Sequence, residues 1–261
     1  LPVMPGLSHI VLMLIVWPAV AVAGAGAFTA GQSWDWQLTE PFDMTRDVAV
    51  MDIDPDNHDP AEIAALTARG IATICYVSVG TLEAWRDDVG AFPPDVVGRT
   101  YDDWPDERFL DIRRLDILVP IMEARIARCA ALGFDGVEPD NMDVYDNASG
   151  FPLTEDDAVT YIRALADTAH RLGLAIGQKN APGLTPALIS DMDFAITEGC
   201  AQDGWCSAMS PYIAAGKPVF AAEYTDRPLD VADVCAQSAS LGLSTIIKDR
   251  DLTATRRGCP E

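Results

Sequence analysis

The sequence predicts an α/β protein built as a single (β/α)8 TIM-type barrel. Apolar, β-rich stretches alternate with amphipathic helical ones eight times, and no second linker breaks the series. At 261 residues the chain is close to the length of about 250 that such a barrel needs. Its apolar content of 49% can fill one core of that size.

The first 30 residues contain no Lys, Arg, Asp or Glu, and an apolar run over 10–23 leads into Gly24, Ala25, Gly26 and Ala27. This is the shape of a secretory signal peptide over 1–27, cleaved near Ala23 or Ala27, with 28–261 as the barrel domain. The run is shorter than the roughly 20 residues a spanning helix needs, and Pro18 interrupts it. Left uncleaved, it would tether the chain to a membrane.

The first strand is expected over 47–53, followed by a helix over 60–69 that Gly70 ends. Residues 71–79 form a second strand, apolar nearly throughout, as a parallel strand covered on both faces should be. An irregular stretch over 80–106 carries Trp85, Trp104 and a Phe92-Pro93-Pro94 break, and loops of that length in compact domains are usually lids or binding loops. A short third strand over 109–112 precedes a helix over 118–132, whose apolar residues recur at helical spacing up to Gly133. The fourth strand lies at 134–138. Thr154 with Asp157 three residues on marks the start of a helix that runs to 171. The last four strands fall at 174–177, 194–197, 218–222 and 244–247, with a helix over 230–241 between the final two.

Six cysteines suit an oxidising, extracytoplasmic compartment. Cys200 with Cys206 and Cys235 with Cys259 are the expected pairs; Cys75 and Cys129 read either as buried thiols or as a third bridge. None shows a metal-site spacing. The formal charge of -22, from 40 acidic and 18 basic residues, argues against a nucleic-acid partner. A cleft lined with carboxylates would attract a cationic substrate instead. The chain is expected to act as a monomer.

Function concentrates at the C-terminal ends of the strands, where a barrel presents its chemistry. There stand Asp52 and Asp54, Tyr76 and Ser78, Glu138, Asp140 and Asn141, Lys179 and Asn180, Glu198, Glu223 and Tyr224, and Lys248. Along the fourth strand alternate side chains share a face, so Glu138 and Asp140 point the same way. Two carboxylates flanking a bond are the minimum for glycoside hydrolysis, and Asp140 and Glu198 lie across part of the mouth from each other. Glu138 and Glu223 are their rivals. Lys179 either contacts substrate or pairs with an acid. Trp34, Trp36, Trp85, Trp104 and Trp205 offer faces that stack on sugars and cations. His58 and His170 are too few for a histidine-rich zinc site, and no nucleophile elbow or phosphate loop occurs. Glu138, Asp140, Asn141 and Asp143 could hold a hard cation, but their spacing is not that of an EF-hand loop. Neither metal nor cofactor is expected.

Several ordered motifs resemble glycoside hydrolase family 114, the endo-α-1,4-polygalactosaminidases. They are Trp34-Asp35-Trp36-Gln37-Leu38, Asp52-Ile53-Asp54, Ile74-Cys75-Tyr76-Val77-Ser78-Val79-Gly80, Trp104-Pro105, Phe109-Leu110-Asp111-Ile112-Arg113, Gly136-Val137-Glu138-Pro139-Asp140-Asn141, Lys179-Asn180 and Phe194-Ala195-Ile196-Thr197-Glu198. The resemblance implies a TIM-type barrel that cuts α-1,4-linked galactosamine polymers of microbial biofilms. It also implies Asp140 as nucleophile and Glu198 as acid/base of a retaining reaction. Asp52, Asp54, Tyr76, Glu138, Asn141, Lys179, Asn180, Glu223 and Tyr224 would line the substrate site. Where the family often has Gln before the Cys that follows strand six, this chain has Gly199. A deacetylated polymer of this kind is cationic, in keeping with the acidic composition. The alternatives are a hydrolase of another α-linked glycan and a glycan-binding protein on the same scaffold.

Overall fold

A computed structural model describes residues 26–102 and 104–259. The apolar run read as a signal peptide lies outside the described residues. In chain order the strands are β1 (Trp34–Gln37), β2 (Val50–Ile53), β3 (Ala72–Ser78), β4 (Thr81–Glu83), β5 (Val97–Tyr101), β6 (Trp104–Leu110), β7 (Gly136–Asp140), β8 (Ala175–Lys179), β9 (Phe194–Glu198), β10 (Val219–Tyr224), β11 (Ser244–Lys248) and β12 (Arg256–Gly258). The helices are α1 (Pro60–Ala68), α2 (Leu115–Leu132), α3 (Glu155–Arg171), the short turns α4 (Thr185–Leu188) and α5 (Ser210–Ala214), and α6 (Val231–Leu241). Helix α3 starts at the expected Thr154 and Asp157 capping box.

Eight strands pair in parallel in the order β1-β2-β3-β7-β8-β9-β10-β11, and β12 adds to β11 antiparallel. Side chains help to close the seam between β1 and β11. The Trp34 indole donates to the Ser244 carbonyl at 2.9 Å, and Lys248 Nζ bonds Asp35 Oδ1 at 3.0 Å in full burial. The sheet thus forms the expected TIM-type barrel.

Alternate residues of these strands fill the interior. Trp34, Trp36, Val50, Phe194, Phe220 and Ile246 form one cluster there, and Phe28 packs against them, its ring tilted 4.9 Å from that of Phe194. Small residues make room for the large ones: a Cβ on Gly177 would sit 2.3 Å from that ring. A second, larger core lies between the outer faces of the strands and the helices.

Two strand assignments need correction. The first barrel strand is β1, where no strand was expected; polar Asp35 and Gln37 break its apolar pattern. Both are buried on its outer face, with Asp35 paired to Arg46 and Lys248, and Gln37 bonded to Asp43. Residues 109–112 do not form a barrel strand, since Phe109 and Leu110 end β6. That strand belongs to a separate antiparallel sheet of order β4-β6-β5, which gives the supposedly irregular 80–106 stretch much of its structure. The two errors offset, so strand four onward keeps its number.

All six cysteines are paired, as Cys75–Cys129, Cys200–Cys206 and Cys235–Cys259. Both expected pairs form, and the open question over Cys75 and Cys129 resolves as a bridge between β3 and α2. It spans a sequence separation of 54, for which loop-closure entropy gives about 4 kcal/mol. Among the described residues no helix is long and apolar enough to cross a membrane.

Phe194 is fully buried at the centre of the interior cluster. Phe194→Ala is expected to lower the unfolding free energy by about 3–5 kcal/mol, read from urea titrations with the disulfides intact.

Candidate active site

The C-terminal ends of the strands open into a cleft of about 870 Å³. At its floor the Lys179 ammonium, only 2% exposed, bonds three carboxylates from neighbouring strands. Nζ lies 2.8 Å from Glu138 Oε1, 2.8 Å from Asp140 Oδ1 and 3.0 Å from Glu198 Oε2. The Trp36 ring lies beside it, 4.6 Å from centroid to nitrogen, which adds a cation–π contact. Burial works against this charge, but Asp140, Glu138 and Glu198 hold the ammonium well above its ordinary range.

Asp140 and Glu198 are the two of these acids that reach solvent, with side chains 19% and 27% exposed. Asp140 Oδ2 accepts from the Tyr76 hydroxyl at 2.9 Å, and Oδ1 accepts from the Asn141 N–H at 2.8 Å. Glu198 accepts from Asn180 Nδ2 at 3.0 Å and from the Tyr224 hydroxyl, while its own N–H donates to Asn180 Oδ1 at 2.8 Å. Burial pushes the Glu198 carboxyl upward, yet Lys179, Tyr224 and Asn180 outweigh it and hold the group below the usual range. Burial raises both phenols well above their ordinary range, and the neighbouring carboxylates add to it, so Tyr76 and Tyr224 remain donors.

Strained backbone sets these side chains. Asn141 and Asn180, the residues just after Asp140 and Lys179, adopt left-handed φ values of 61° and 47°. Asparagine tolerates that region better than most residues, and such outliers concentrate at functional sites. Gly80 is required alongside, because a Cβ there would lie 2.0 Å from the Asn141 carbonyl oxygen.

Of the expected site residues, Asp140, Glu198, Tyr76, Asn141, Lys179, Asn180 and Tyr224 come together here. Asp54 lines the cleft wall but is tied to Arg86 at 2.8 Å, together with Glu83 and Asp56. Glu138 shares the face of Asp140 but lies deeper and is fully buried against Lys179. Asp52 is also fully buried and does not line the cleft. Glu223 is displaced from the predicted site: it turns away and accepts from the N–H groups of Ala201 and Gln202 at 2.8 and 3.0 Å. Adjacent strand residues face opposite ways, and Tyr224 takes the cleft side. As for a hard cation, the Lys179 ammonium already stands between Glu138 and Asp140.

Two wall residues went unremarked in the sequence. Glu107 accepts from Thr81, and Arg86 gathers three acids from two segments. The period-2 pattern of β6, with Glu107 and Phe109 buried, was the available signal for Glu107. Burial pushes Glu107 up to about 7 and Asp143 up to about 6, with the Asp140 charge adding to both. Neither is in ion-pair contact with a cation among the described residues.

Lys179→Met would strand three carboxylates around one lost charge. We expect a loss of about 3–5 kcal/mol at neutral pH. The stranded acids would have raised folded-state pKa values, so the deficit should shrink as the pH falls toward 4 in denaturant titrations across pH.

Comparison with known proteins agrees with this geometry. The profile of glycoside-hydrolase family GH114 matches residues 17–261. The chain is similar to Ega3 of Aspergillus fumigatus, solved in complex with galactosamine, at 34% identity and a TM-score of 0.82, covering 88% of this chain and 96% of that one. It shares the fold of the glycoside hydrolase domain of PelA from Pseudomonas aeruginosa, with 17% identity, a TM-score of 0.68 and coverage of 87% and 98%. An uncharacterised protein of Deinococcus radiodurans is 27% identical over 262 residues, 87% of this chain and 83% of that protein. With the family profile spanning nearly the whole sequence and polar side chains converging at the barrel mouth, the chain belongs to glycoside-hydrolase family GH114 and is a glycoside hydrolase.

Proposed function

We propose that this glycoside hydrolase is exported and cleaves internal bonds of an α-1,4-linked, galactosamine-containing polysaccharide with retention of configuration. The observation that carries the mechanism is the contact that Asp140 and Glu198 share with Lys179 Nζ, at 2.8 and 3.0 Å. Oxygens bonded to one nitrogen cannot be further apart than those two bonds laid end to end. That limit on the facing oxygens admits the about 5–5.5 Å separation of a retaining pair.

In this reading Asp140 attacks the anomeric carbon while the bond to the leaving sugar breaks and protonated Glu198 gives its proton to the departing oxygen. Ionised Glu198 then takes a proton from water, whose oxygen displaces Asp140 from the anomeric carbon. Lys179 and Tyr76 hold and aim the Asp140 carboxylate. The donors around Glu198 favour the basic form used in the second step, so the first step draws on its minor protonated fraction, which falls as pH rises.

Three supports favour the amino-sugar substrate: the net charge of -22, the galactosamine bound to Ega3, and Glu107 and Asp143 in the cleft wall, which meet no cation among the described residues. The three disulfides and the uncharged N-terminal run support export.

Reducing-end release from partially deacetylated α-1,4-galactosamine polymer tests the assignment. Asp140→Asn and Glu198→Gln, each shown to be folded, should lose at least about a hundred-fold. The first product observed by NMR should be the α-anomer; a β-anomer would mean inversion. No release by folded wild type would remove the proposed substrate.

The wall acids give a pH signature. Glu107 and Asp143 are protonated on the acid side of about 7 and about 6, so KM for the cationic polymer should fall as pH rises from 5 to 7.5. Glu107→Gln should flatten that trend, and a KM independent of pH in wild type would count against charge recognition.

A further inference from the structure

Beneath Lys179 the barrel interior holds a second pair of acids. Asp52 on β2 is fully buried, and neither of its carboxyl oxygens meets an N–H or O–H donor among the described residues. Glu138 on β7 is fully buried too: Oε1 accepts from Lys179 at 2.8 Å, whereas Oε2 has no donor. The two carboxyl groups are close enough that each shifts the other's protonation. Around them, β1 contributes Trp36 and β3 contributes Ile74, the ladder neighbours of Asp52, while Tyr76 is the ladder neighbour of Glu138. The charged groups that face the pair are Lys179 and Asp140.

Three buried acceptor oxygens left without donors would cost about 1–3 kcal/mol each. Two like charges this close add repulsion, which is why such pairs keep a proton between them. One proton resolves both problems, because an O–H on Asp52 gives Glu138 Oε2 its missing donor. We propose that Asp52 is a protonated, neutral acid that donates to Glu138, and that it thereby acts as a positioning residue for the Lys179 ammonium. Burial, then the neighbouring Glu138 charge, pushes the Asp52 carboxyl well above the usual range, in keeping with this.

Charge balance gives the proton its consequence. Lys179 already faces Glu138, Asp140 and Glu198. A fourth negative charge below would draw the ammonium inward, off the two exposed carboxylates. A neutral Asp52 leaves one charge on Glu138, enough to anchor Lys179 without monopolising it. The effect on turnover rests on Asp140 and Glu198 being the reacting pair; the placement of the proton does not.

The test has three arms. An acid held protonated in the fold, with a folded pKa above its unfolded value of about 3.9, contributes stability that is complete below that pH and lost as pH rises. Asparagine cannot titrate but can still donate to Glu138. The stability of Asp52→Asn relative to wild type should therefore climb from pH 4 to pH 8; a relative stability that stays flat or falls would overturn the proposal. Infrared spectra of folded wild type at pH 8, above the range of Glu107 and Asp143, should keep a protonated-carboxyl carbonyl band that Asp52→Asn lacks. Absence of the band from wild type would overturn the proposal even if the variant failed to fold. Finally, Asp52→Ala should lower kcat by about ten-fold or more through displacement of Lys179, and Asp52→Asn should restore most of it; equal loss in both variants would reject the positioning role. If the substrate assignment failed, the first two arms would still stand.

Discussion

One buried ammonium holds the catalytic end of this barrel together. Lys179 joins β7, β8 and β9 through three carboxylates, so the ends of three strands share a single charge centre. Buried ion pairs are poor sources of stability, because desolvation consumes most of what attraction returns. Their value here is geometric. An ammonium with three donors and three acceptors fixes the distance between Asp140 and Glu198, and the left-handed turns after Asp140 and Lys179 fix the directions in which those side chains leave the strands.

Charge in the cleft is sorted, not merely abundant. Arg86 neutralises Glu83, Asp54 and Asp56 on one wall, and Arg227 does the same for Asp203 on the other. What remains accessible near Asp140 and Glu198 is a small set of acids without ionic partners among the described residues, in a protein whose net charge is -22. A cation that enters meets those acids first. Field focusing by the whole acidic surface then adds to the encounter rate without competing for the same contacts.

Much of this was legible in the sequence, and the failures have physical causes. Period-2 alternation identified the face shared by Glu138 and Asp140, and the ends of apolar runs located Lys179 and Glu198 correctly. Alternation gives a face but no depth, which is why Asp52 and Glu138 were read as mouth residues although they lie below it. The same alternation should have separated Glu223 from Tyr224, since neighbours on a strand cannot both face inward. β1 escaped because its outer face buries Asp35 and Gln37 in a polar network, which no hydrophobicity pattern reveals. Arg86 escaped because its partners come from separate segments, so their meeting is a property of the fold.

The small sheet of β4, β5 and β6 enters the chain as one insertion between β3 and α2. It carries Trp85 and Trp104, 55% and 46% exposed at the cleft rim, together with Glu83, Arg86 and Glu107, whereas Asp140, Lys179 and Glu198 all belong to barrel strands. If the proposed roles hold, gripping and cutting are encoded in different stretches of polypeptide. A lineage could exchange the gripping segment as a unit and acquire a new polymer without relearning how to break the bond.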